Sequence, residues 1–420
     1  MTDPVSYKAH LEGFDGIRLF AALSVMFSHA YLIGLGSEQT EPFVKVLGHG
    51  NIIGLYGVFT FFGISGFLLA RSLRSNPSAV RYSVNRVLRI LPAFIFCTLV
   101  TAFVIGPLFS SLKADAYFSA PGIVDFLKYS LNSIGSTTLP GVFSYDNSDL
   151  AQTINASLWS LRYEVLSYVF LLILWILLRS ATLVAVAIVV VAAATYTSHA
   201  AAATLPGIAY TLPYFAGGIV MQSLHSRFGT SWQGVVACVL ALVCSYFFGY
   251  HQIAFALFGT YIIIFIGERR NFTTMIVDKI GDCSYGLYLF GWPTEQMVKQ
   301  LTGTSDPMTL LSISIPIAFA LALLSCHLVE RPAMKLRKPI TRIIESSWER
   351  ATTAAPGTRV ATEWGAKVSF VIVALVILMS KNQWWYCVES LGMIVSVTLA
   401  GALLGMVFFG FLRSVTRILS

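Results

Sequence analysis

Charge is scarce in this chain. Only 11% of its 420 residues are Asp, Glu, Lys or Arg, whereas a soluble globular protein carries about a quarter; the shortage excludes a soluble enzyme. Cysteine is also sparse. The six are Cys97, Cys238, Cys244, Cys283, Cys326 and Cys387; all but the last fall in apolar stretches and none has metal-ligand spacing, so neither a disulfide framework nor a metal site is expected. No repeat of about 20–50 residues and no low-complexity tract is present, which excludes a solenoid. The first apolar stretch follows a mixed start, MTDPVSYKAHLEGFDGIR, with no small-residue cleavage site behind it. That first span is therefore expected to stay in the mature protein.

What the chain has in abundance is apolar surface: 56% hydrophobic residues, with 30 Phe, 18 Tyr and 8 Trp, and a mean hydropathy of +0.73. A helical membrane span needs about 20 mainly apolar residues. Windows of that length lie near 13–35, 52–74, 88–112, 158–178, 181–198, 204–224, 232–250, 252–267, 280–298, 309–330, 365–382 and 388–412. The expected fold class is all-α, a polytopic membrane helical bundle with a ten-helix body and two further C-terminal transmembrane helices. The body spans residues 1–332, a polar linker 333–364 and the two-helix extension 365–420. The stretch 113–157 reads as an external cap with an interfacial helix near Gly122–Leu131.

The net charge of +8 raises nucleic acid as a partner, but its distribution removes the need for one. With the N-terminus inside, 22 of the 28 Lys and Arg fall on inside segments and 6 on outside ones. That asymmetry predicts cytoplasmic N- and C-termini, with the lipid bilayer as the partner.

An ionisable side chain within a span is costly and marks a candidate site. The first span carries Asp15 and Arg18, three apart and able to pair on one face. It also carries His29, about 16 Å further along the axis on roughly the same face. An interfacial Asp–Arg anchor with a histidine bonding a neighbouring helix is one reading; a catalytic group is the other. The fourth span, starting SLWSLRYE, brings Glu164 to about 9 Å below the outer boundary. That is the depth expected for His29, and a carboxylate beside an imidazole suits general-base chemistry on a hydroxyl. Ser65 and Gly66, within FFGISGFLL, serve close helix packing; Ser65 as a nucleophile lacks an adjacent base. The inside loop RSLRSNPSAVRYSVNRVLRILP holds five arginines and no acid. Arg86 and Arg89 form a pair one turn apart that suits a phosphate-bearing ligand, or else lipid headgroups.

Together these motifs resemble the acyltransferase 3 family of integral-membrane O-acyltransferases. The resemblance rests on Phe14-Asp15-Gly16-Ile17-Arg18 with His29 eleven residues on, Phe61-Phe62-Gly63-Ile64-Ser65-Gly66-Phe67, and Arg86-Val87-Leu88-Arg89-Ile90-Leu91-Pro92. It continues through Ser157-Leu158-Trp159-Ser160-Leu161 with Glu164, Ser284-Tyr285-Gly286-Leu287-Tyr288-Leu289, and Glu330-Arg331-Pro332. It implies transfer of an acyl group, commonly acetyl, from a cytoplasmic coenzyme A thioester to a hydroxyl of a carbohydrate or lipid-linked glycan acceptor. No metal is implied, and the setting is a bacterial inner membrane. Carried over, His29 is the catalytic histidine with Arg18 its motif partner, Asp15 or Glu164 orients it, and Arg86 and Arg89 bind acyl-CoA. Ser65 stands by the donor, and Trp159 and Tyr163 line the acceptor side. Where many members have a histidine after Tyr288-Leu289, this chain has Phe290-Gly291-Trp292-Pro293. The rival expectation is a proton-coupled transporter or flippase with His29, Glu164 and Glu295 along its path.

Overall fold

The computed structural model describes residues 4–133, 138–145, 152–197, 206–269 and 281–353. The two C-terminal spans and Cys387 lie outside the described residues, as do parts of the expected external cap.

In lipid a backbone must satisfy its own hydrogen bonds, which selects helices. Among the described residues every regular element is helical. In chain order, α1 is Pro4–Leu35, α2 Ile53–Ser75, α3 Ala79–Phe109, α4 Gly122–Ser133, α5 Trp159–Leu178, α6 Ala181–Thr197 and α7 Pro206–Phe228. They are followed by α8 Trp232–Phe247, α9 His251–Gly267, α10 Ser284–Thr302, α11 Pro307–Ser325, the short α12 Arg331–Lys335 and α13 Arg337–Thr353. Among the described residues, five segments are long and apolar enough to cross a membrane: Gly13–Leu35, Ile53–Ser75, Ala79–Phe109, Ala156–Leu178 and Pro307–Ser346. The chain is a polytopic helical membrane protein.

The ten expected windows that fall on described residues overlap helices, most of them to within a few residues; α1 begins earlier, at Pro4, and two further differences are instructive. Helix α3 starts at Ala79, where the Ser78 hydroxyl caps it by accepting from the Arg81 N–H, not near residue 88. Its first turns are arginine-rich, so an apolarity criterion skips them, yet they bury Tyr82, Ser83 and Val84 on one face. The stretch read as a polar linker is helical as far as Thr353. Helix α13 is fixed to the start of α3 by the Ser78 hydroxyl donating to Glu345 at 2.9 Å.

Small residues allow close helix contact. A Cβ on Gly66 of α2 would collide with the Phe215 carbonyl of α7, and one on Gly218 of α7 with the Gly63 carbonyl of α2. Backbones that approach this closely gain dispersion contact where lipid offers no hydrophobic drive. Beside them Phe59 stacks on Tyr214 at 3.6 Å between centroids. The main core joins α1, α2, α3, α5, α7 and α10 through Met26, Phe62, Phe94, Leu161, Phe215 and Leu287.

Two ends of the bundle can be told apart. Arg71 and Arg74 end α2 and Arg81, Arg86 and Arg89 open α3, so this is the arginine-rich end. Helix α1 runs from it toward the opposite end. There the Ser28 hydroxyl donates to Glu41 and accepts from the Gly54 N–H at 2.8 Å, tying the loop after α1 to the start of α2.

Candidate active site

At the arginine-rich end a cavity of about 60 Å³ opens between α1, α2, α3, α5 and α10. Arg18, Ser65, Arg86, Arg89, Ser160 and Glu164 line it, together with Tyr168, Ser284, Tyr285 and Tyr288. The polar groups come from five helices. Ser65 of α2 donates to Glu164 of α5 at 3.3 Å and lies 3.1 Å from the Tyr168 hydroxyl; Tyr168 itself donates to Glu164. The Arg86 guanidinium stands over the Tyr168 ring at 5.7 Å. Ser160 and the Tyr288 hydroxyl are 2.6 Å apart, and Tyr288 donates to the Ser157 carbonyl.

Arg89 is the node of a second network. It pairs with Asp282, which precedes α10, and with Glu330, which follows α11, at 3.7 Å. Asp282 also accepts from the Ser284 hydroxyl at 2.5 Å. Arg18 pairs with Asp15 at 3.0 Å, as the three-residue spacing predicts. Glu330 accepts from Ser325 at 3.1 Å. An arginine expected to offer its charge to a phosphate is thus flanked by two carboxylates of its own protein.

His29 is elsewhere. Its ring packs edge-on against Trp292 of α10, with centroids 4.8 Å apart. Its Nδ1 is sealed from solvent without a hydrogen-bond partner among the described residues. Trp292 is fixed by its indole N–H donating to the Thr153 carbonyl at 2.9 Å. Helices α1 and α10 run side by side and parallel. Gly291 faces Met26 and Lys299 donates to the Gly34 carbonyl at 3.4 Å, the same offset at both places. Interpolation between those contacts sets Glu295 opposite Ala30, the residue after His29. Glu295 is fully buried, and neither carboxylate oxygen has a hydrogen-bond partner among the described residues.

The structure brings together Arg18, Ser65, Arg86, Arg89 and Glu164, with Asp15 bound to Arg18. It does not bring Glu164 beside His29, and this corrects the depth read from sequence. The reason lies in the turn before α5. Asn155 donates to the Leu289 carbonyl at 2.8 Å and Tyr288 holds Ser157, so α5 begins inside the bundle, about a turn inward of Trp292. Counting residues from an assumed membrane boundary therefore placed Glu164 too far out. Trp159 and Tyr163 pack on each other at 6.0 Å and do not line the cavity; Trp159 is 38% exposed. Sequence reasoning missed Tyr168 and Asp282. An acid two residues before Ser284, at the same end as an arginine-rich loop, is the available signal for Asp282.

Fold and site together define a multi-pass helical protein with a charged, tyrosine-lined cavity at one end and a buried histidine further along. The chain belongs to the acyltransferase 3 family, whose profile, described as an acyltransferase domain, matches residues 11–329. Among curated proteins it is similar to an O-acetyl transferase of Shigella phage Sf6, 25% identical over 346 residues that cover 78% of this chain and 97% of that protein. A shorter match, 44% identical over 85 residues, links 20% of this chain with 22% of nodulation protein 10 of Rhizobium leguminosarum bv. viciae. No solved structure matches.

Proposed function

We propose that this membrane acyltransferase moves an acyl group, acetyl in the simplest case, from acyl-CoA arriving at the cytoplasmic face to a hydroxyl of a carbohydrate or lipid-linked glycan. The observation that carries the reading is the meeting of Arg18, Ser65, Arg86, Arg89 and Glu164 in one cavity within the span matched to the family. The O-acetyl transferase activity of the phage relative supports oxygen as the acceptor atom. The lopsided Lys and Arg distribution supports a cytoplasmic arginine-rich end.

In this reading the thioester arm enters past Arg89, and Arg86 and Ser65 steady it. Arg18 and His29 lie about 16 Å apart along α1, a gap that an extended pantetheine arm spans. His29 takes the proton of the acceptor hydroxyl as that oxygen attacks the thioester carbonyl. The C–S bond then breaks, and the leaving thiolate is protonated by the imidazolium. Glu295 is the positioning residue: its carboxyl, level with His29 on the neighbouring helix, holds the imidazole through one water at Nδ1. Trp159 and Tyr163 offer an aromatic face to a sugar.

The test is transfer from labelled acetyl-CoA into membranes or a glycan fraction, comparing wild type with His29→Ala at matched levels. Label with wild type alone upholds the reading. Equal label with both sinks the role of His29, and failure of the purified protein to bind coenzyme A sinks the donor.

A further inference from the structure

A second, larger cavity of about 520 Å³ opens at the arginine-rich end. Arg89, Asp282 and Glu330 contribute to its lining, and so do Arg331, Lys335, Arg337 and Lys338. Arg89 lines both this cavity and the inner one. Arg89 is therefore the residue that the two linings share.

The charges divide unevenly between floor and rim. At the floor, Arg89 faces two carboxylates, so that group offers no net positive charge to a ligand. At the rim, Lys335, Arg337 and Lys338 are exposed, and no carboxylate pairs with any of them among the described residues. They sit where the chain breaks between α12 and α13 at Leu336. The Ser78–Glu345 hydrogen bond, which fixes α13 against α3, holds that corner in place. Topological bias accounts for cations at this end of the bundle. It does not account for three uncompensated cations gathered on the rim of one cavity whose floor leads inward.

A cavity of this form fits a ligand with clustered phosphates at one end and a slender neutral arm at the other. We propose that Lys335, Arg337 and Lys338 are the phosphate subsite for the nucleotide end of the acyl-CoA donor, with its ribose 3′-phosphate on this rim and its pantetheine arm passing Arg89. The inference rests on the donor assignment made under Proposed function. It moves phosphate recognition from Arg86 and Arg89 to a segment that reads in sequence as a linker. Charge-assisted contacts to phosphate are the strong class of hydrogen bond, and three cations share them here.

The experiment compares coenzyme A with 3′-dephospho-coenzyme A by equilibrium binding to the purified full-length protein in nanodiscs of neutral lipid. Wild type should prefer coenzyme A by about 10-fold or more. The triple variant Lys335→Gln, Arg337→Gln, Lys338→Gln should lose that preference while binding dephospho-coenzyme A within about 3-fold of wild type. A misfolded variant would lose both ligands, and Lys338→Arg, which keeps the charge, should retain the preference. An unchanged preference in the triple variant overturns the subsite and leaves the donor assignment standing. Binding of neither ligand by wild type overturns the donor assignment itself. If the rim instead serves lipid headgroups, the triple variant loses retention of phosphatidylglycerol with its coenzyme A affinity intact, and the proposal falls.

Discussion

His29 and Trp292 face each other edge to ring across the α1–α10 contact, with centroids 4.8 Å apart. The tryptophan is pinned by Thr153, and so the imidazole has one wall it cannot push aside. A histidine held this way can aim one nitrogen outward without losing orientation. His29→Ala should cut transfer by at least about 10²-fold, the usual worth of general-base assistance, with unchanged protein in the membrane. Measured transfer above a tenth of wild type would remove His29 from the chemistry.

Glu295 gives a prediction in which fold and activity separate. A buried carboxyl with no hydrogen-bond partner contributes nothing favourable to stability that an apolar side chain of similar size would not. Glu295→Met should therefore leave the melting temperature the same or raise it, while kcat falls about 10-fold or more and KM for acyl-CoA stays within a factor of about 2. Glu295→Gln should lower kcat similarly and shift the pH profile of kcat. A variant with full kcat and an unshifted profile would show that the carboxyl does not position His29.

Arg89 behaves as a structural charge as well as a gate. Arg89→Ala leaves Asp282 and Glu330 without their cation; because Arg89 and Asp282 are only partly buried, breaking the pair from one side costs about 1–3 kcal/mol. The yield of folded protein should fall sharply. Adding Asp282→Asn to Arg89→Ala should recover part of that yield, as judged by monodisperse material in size-exclusion chromatography. No recovery would mean that the pair is not what Arg89 secures.

The α2–α7 contact allows no side chain at its closest points. Gly66→Ala should destabilise the bundle by about 1–3 kcal/mol, the usual cost of overpacking, and Gly218→Ala should do the same. Because the two sites share one contact, the double variant should deviate from additivity by about 0.5 kcal/mol or more. Thermal unfolding in detergent measures both quantities.

The helices were legible because the constraint that makes them is one-dimensional: a run of apolar residues long enough to cross a bilayer is visible without a partner. The Asp15–Arg18 pair was legible for the same reason, three positions on one helix. What stayed hidden was relative depth. Glu164 was placed from the start of its own helix, and only the grip of Asn155 on Leu289, 134 residues away, moves that start inward. The Arg89–Asp282 pair spans 193 residues; neither residue states its partner. Likewise Lys335, Arg337 and Lys338 read as ordinary basic linker residues until α13 folds back along α3 and makes them the lip of a cavity.

A membrane that houses an open passage must still hold its proton and ion gradients. Arg89 lines both cavities, and its guanidinium keeps its charge at any physiological pH. Asp282 and Glu330 bracket that charge, so a small ion of either sign finds it already paired. On the proposed donor route, a neutral thioester arm would pass Arg89 while its charge stays matched by Asp282 and Glu330, so the route would need no moving lid to keep bare charge out of the membrane.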